Sequence, residues 1–134
     1  MVPLQAAGSL AGKSVAFSGR GECHQSGDAS IYGVPAAMYH ASFSGGTSGL
    51  ERVNLTLWQP KAGGPMQMTF AADAGRTHFE IGTVKGGRLT GSGTGRVDRQ
   101  GAGGALVVQG QTASGAAVQL TVTCSRFTAP EDNG

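Results

Sequence analysis

Three features of the sequence predict an all-β fold. Hydrophobic residues recur at every second position through most of residues 13–124, and Gly-rich polar clusters interrupt them about every eight to twelve residues. No stretch carries a helical periodicity. This pattern predicts about eight strands in an antiparallel sandwich or flattened barrel, with the first and last strands linked by a disulfide. The chain of 134 residues suits one domain, which we place at 13–127. Residues 1–12 are expected as a flexible N-terminal segment and 128–134 as a flexible C-terminal tail.

The strands follow in order. Val15 and Phe17 alternate with small residues, and Gly19 and Gly21 lead on to Cys23 with the same parity. Residues 36–43 set Tyr39, Ala41 and Phe43 against Met38, His40 and Ser42; residues 50–58 set Val53, Leu55 and Leu57 against Arg52, Asn54 and Thr56. Met66, Met68 and Phe70 form the next stripe, then Phe79 and Ile81, then Leu89 and Val97 around three glycines. A short apolar run covers 105–109, and Val118, Leu120, Val122 and Cys124 close the series. The connections at 44–49, 61–65, 73–75, 85–87 and 99–104 carry the Gly and Asp that turns require. Those at 73–75 and 85–87 are short enough for hairpins. Residues 25–35 read as a longer irregular segment.

Composition restricts function. Gly alone contributes 24 residues, while Leu, Ile, Val and Phe together make up under a fifth of the chain. A net charge of only +2 does not accompany that scarcity with the repulsion typical of disorder, and it argues against nucleic acid as a partner. No apolar run approaches the ~20 residues of a membrane-spanning helix.

Cys23 and Cys124 lie near opposite ends of the foldable chain and belong to no C-x-x-C pair. Each could be a lone nucleophile or metal ligand. A disulfide is the better reading, because both cysteines share the parity of their strand's core face. Such a bridge implies an oxidising compartment, and hence a periplasmic, cell-surface or secreted protein. The opening residues lack a signal-peptide pattern. We therefore expect any export signal, and any lipid-bearing cysteine, to belong upstream of Pro3.

Catalytic motifs are weak. None of the serines sits in G-x-S-x-G, and no acid has a diagnostic spacing from His24, His40 or His78. The eight acids are scattered, which favours solvated charges over a paired-carboxylate site. Two candidate sites remain. Met38, His40, Met66 and Met68 resemble a thioether and imidazole copper set, although Met66 and Met68 continue to Phe70 as a core stripe would. Gly91, Gly93 and Gly95 thin one strand face, which admits another backbone or a flat ligand, and Trp58 could anchor a partner or cap the sandwich end. No cofactor is expected.

The C-terminal half resembles the mycobacterial nineteen-kilodalton lipoprotein antigen family. The residues that carry the likeness are Ile81-Gly82-Thr83-Val84-Lys85-Gly86-Gly87-Arg88-Leu89, Gly91-Ser92-Gly93-Thr94-Gly95 and Val107-Val108-Gln109-Gly110-Gln111-Thr112-Ala113. The ending Val118-Gln119-Leu120-Thr121-Val122-Thr123-Cys124-Ser125 is the closest part. The pattern extends over 13–125 and the motifs over 81–125. The resemblance implies an exported, immunogenic lipoprotein domain without established enzymatic activity, tethered by an acylated cysteine upstream. The family pairs its late cysteine with an early one where Cys23 stands here. We thus expect a non-catalytic, monomeric envelope domain that contacts an envelope or host protein or a glycan, and touches membrane only through that anchor. A small-ligand or copper-binding extracellular protein is the alternative.

Overall fold

The computed structural model describes residues 1–46 and 49–129; positions 47–48 of the expected turn at 44–49, and 130–134 of the expected tail, lie outside the described residues. The fold is all-β. Nine strands are described: β1 (Val2–Leu10), β2 (Lys13–Ile31), β3 (Val34–Phe43), β4 (Arg52–Pro60), β5 (Gln67–Ala74), β6 (Thr77–Gly82), β7 (Ser92–Gln100), β8 (Gly103–Gln111) and β9 (Ala117–Cys124). They form one sheet in the order β6-β5-β4-β3-β2-β1-β9-β8-β7. The 19-residue β2 is its corner, pairing through Lys13–Gly21 with β1 and through Glu22–Ile31 with β3. The sheet thereby folds over itself as a nearly closed, flattened barrel.

Closure is limited by parity. All eight neighbouring pairs are antiparallel, so β6 and β7 at the two edges run in the same direction. An odd ring cannot close with antiparallel ladders alone. The chain between β6 and β7 turns back at Thr90, which pairs antiparallel with Gly82 through two backbone hydrogen bonds of 2.9 and 3.1 Å, and turns again before β7 starts at Ser92. That bridge ties the end of β6 to the segment that leads into β7.

The ninth strand is a correction to the expected flexible segment 1–12. β1 sits in mid-sheet, between β2 and β9, and buries Val2, Leu4, Ala6 and Leu10. Its period-two pattern is carried partly by Ala and Gly, which supply little hydrophobic signal. The segment 25–35 is likewise strand for most of its length, its irregularity confined to a register shift between Ser26 and Ala29; β2 runs to Ile31, and the two-residue turn Tyr32-Gly33, with φ of 47° and 81°, starts β3. Thr128, expected in the tail, is held by its N–H donating to Cys23 O at 2.9 Å and its carbonyl accepting from Gln25 N–H at 2.9 Å.

One core fills the interior. Leu55, Leu57, Met68, Leu106, Val108, Leu120 and Val122 are fully buried, and the Phe17 and Phe43 rings stack at 3.9 Å. Cys23 and Cys124 are disulfide-bonded inside it, with Cα atoms 6.2 Å apart. Because β1 precedes Cys23's strand, the bridge joins the second strand to the last, with β1 between them. The disulfide points to an oxidising, non-cytoplasmic compartment. Among the described residues, no helix is long and apolar enough to cross a membrane.

Candidate functional site: a groove on the outer face

Side chains two apart on a strand share a face, so register fixes what the outer surface of β2–β6 displays. Glu22 stands opposite Ser42, Ser42 opposite Asn54, Asn54 opposite Ala71, and Ala71 opposite Glu80. This cross-strand row lines a cleft of about 540 Å³, bordered by Met1, Arg52, Arg88 and Thr90. The middle of the row is small and uncharged, with a carboxylate at each end.

Most of the surrounding charge is already paired. Arg88 approaches Glu80 at 3.5 Å, Arg52 Nε donates to Asp73 at 2.9 Å, and His78 Nδ1 lies 2.6 Å from the other Asp73 oxygen. The hydrogen bond from His78, followed by the charge of Arg52, holds the Asp73 carboxyl below its usual range against the opposing effect of desolvation. Glu22 has a looser neighbour, His24 Nε2 at 4.0 Å.

The next row is His24–His40–Thr56–Thr69–Gly82. The rings of His24 and His40 lie parallel, with centroids 6.0 Å apart. Each is pinned through Nδ1 by a threonine hydroxyl at 2.9 Å, Thr128 for His24 and Thr56 for His40. Burial, reinforced by the nearby His24 and opposed by Glu22, pushes the His40 imidazolium pKa below 6.5 and favours the neutral ring.

The structure separates the sequence-predicted candidates. Met38 and His40 lie on the outer face, whereas Met68 is fully buried and Met66 packs on the core, so the four do not form one copper set. Gly93 and Gly95 face inward, and the face they thin is filled by protein. A Cβ on Gly95 would lie 2.5 Å from Leu57 Cδ2, and one on Gly93 would lie 3.2 Å from Met68 Cε. Gly91 turns the chain at φ 65° against Gln111 and Thr112. The glycine-lined ligand face is thereby corrected to a seat for core side chains. Trp58 is half-buried on the outer face, packed against Ile31, Ala36 and Val84 in a small second cluster.

Sequence reasoning missed Glu22, Asn54, Thr56 and Glu80 as neighbours. Their parity was legible, but register across five strands is not written in any one of them. No protein-family profile, no curated protein and no solved structure matches the chain.

Proposed function

We propose that this is an exported, non-catalytic domain of a bacterial cell envelope, of lipoprotein type, that acts through surface contacts with an envelope or host protein or a glycan. The observation that carries the reading is the buried Cys23–Cys124 bridge, a linkage that cytosolic reductants would oppose. The likeness of 81–125 to the mycobacterial nineteen-kilodalton lipoprotein antigens supports the same compartment and a lipid anchor upstream. The histidines offer further support: His24 and His40 bond threonine hydroxyls and His78 bonds Asp73, arrangements that hold a surface together.

Intact mass after thiol alkylation of protein taken from native cell fractions tests the proposal. The expected result is protein in the envelope or secreted fraction that gains two alkyl groups only after reduction. Cytosolic protein with both thiols free would overturn it. A second reading, small-ligand binding, is favoured by the groove along Glu22, Ser42, Asn54, Ala71 and Glu80. Titration with neutral oligosaccharides and with hydrophobic ligands separates it from a pure contact surface, and absence of saturable binding removes it.

A further inference from the structure

Among the described residues the sheet has two free edges, and β7 is the longer. Its ladder to β8 runs unbroken from Ser92, opposite Gln111, to Gln100, opposite Gly103. The other side of β7 therefore presents a regular row of backbone N–H and C=O groups, and no described strand pairs with it. Folded proteins commonly blunt such an edge with a proline, a lysine or a bulge, and Ser92–Gln100 has none of the three. β6, at the opposite edge, is six residues long and tied to Thr90 at Gly82.

The side chains of β7 select what can pair there. Arg96 and Asp98 share the outer face, with 67% and 51% of their side chains exposed, and bond each other at 3.1 Å. A second β7 laid antiparallel along this edge, with the outer faces continuous, has its register fixed by the one residue that meets its own copy. With Val97 at that centre, Arg96 of each copy stands opposite Asp98 of the other, and Thr94 stands opposite Gln100. On the inner face Gly95 presents no side chain to Arg99, whose guanidinium lies over the Phe127 ring at 5.2 Å. Centring the pair on Arg96, Asp98 or Arg99 sets like charges face to face, which destabilises a ladder. Centring it on Gly95 leaves Arg96 and Asp98 opposite hydroxyls of Thr94 and Ser92. Only the Val97 register matches opposite charges, so the edge is complementary to itself, as a two-fold contact requires.

We propose that two copies of this chain join edge to edge through residues 94–100 of β7, on a two-fold axis at Val97, so that one sheet runs through both. Backbone hydrogen bonds supply the attachment, as in strand addition generally, and the charges set the register. Arg96 and Asp98 exchange the pair within each copy for two reciprocal pairs across the axis. A contact of this kind lies at the low end of interface sizes, below about 1,200 Å², so the dimer is reversible and follows concentration. It stands in place of the monomer expected from the sequence, and it does not rest on the envelope reading above.

The test is sedimentation velocity of the intact, disulfide-bonded chain over a concentration series up to about 1 mM. The parent is expected to pass from monomer to dimer. Arg96→Asp and Asp98→Arg each set like charges opposite one another and should weaken dimerisation about tenfold or more. Mixing the two variants in equal amounts restores opposite charges at both positions and should recover a dimer. Both substitutions made in one chain should recover it as well. Both positions are exposed, and melting curves confirm that each variant is folded. The proposal is overturned by a parent that stays monomeric throughout the series, by single variants that dimerise as tightly as the parent, or by a mixture that associates no more than its components.

Discussion

Gly95 illustrates how much a single side chain decides here. With Leu57 Cδ2 2.5 Å from where its Cβ would stand, Gly95→Ala forces Leu57 or β7 to shift. We expect a loss of about 1–3 kcal/mol, the usual cost of overpacking, read from urea denaturation. Asp73 sets a pH dependence in the same way. Its pKa is lowered in the folded state, so its contribution is complete above the ordinary value of 3.8 and disappears as pH falls through the lowered one. Asp73→Asn should therefore cost about 0.5–1 kcal/mol at pH 7, a modest amount because the Arg52 and His78 partners are solvated. The gap between variant and parent should close in strong acid, and denaturation curves at the two pH values provide the check.

At the scale of the element, what could be read from the sequence followed hydrophobic content. β4 and β9 announce themselves through Val53-x-Leu55-x-Leu57 and Val118-x-Leu120-x-Val122, and both are strands with those residues buried. β1 has the same period, but its inward positions include Ala6 and Gly8, whose burial yields little transfer energy to notice. Gly8 is there because β9 comes too close for a Cβ, which would sit 2.9 Å from Leu120 Cα. The glycine face of β7 was misjudged for a related reason: a thin strand face looks the same whether a ligand or a leucine fills it. The groove and the His24–His40 pair depend on register, which arises only when five strands assemble. Removing residues 1–12 should thus unfold the domain, since β2 and β9 would each lose a ladder; loss of the sigmoidal melt by circular dichroism would show it.

For the whole molecule, the disulfide is the dominant single constraint. The bridged cysteines are 101 residues apart, so by chain entropy the link is worth about 4–5 kcal/mol, comparable to the entire stability of a small domain. Replacing Cys23 and Cys124 together by Ala should lower the unfolding free energy by about that amount, with the circular dichroism spectrum below the transition unchanged. A smaller loss would mean that the reduced chain keeps residual order.

The pairing of β1 with β9 governs time as well as shape. A ribosome or a translocation pore delivers β1 first, yet one edge of that strand has no partner until residues 117–124 arrive. The earliest hairpin must wait, exposed, for the last. The β1–β9 ladder, which joins the most distant segments of the chain, then forms late, which slows the completion of folding and leaves that edge open to interception by other strands in the interval.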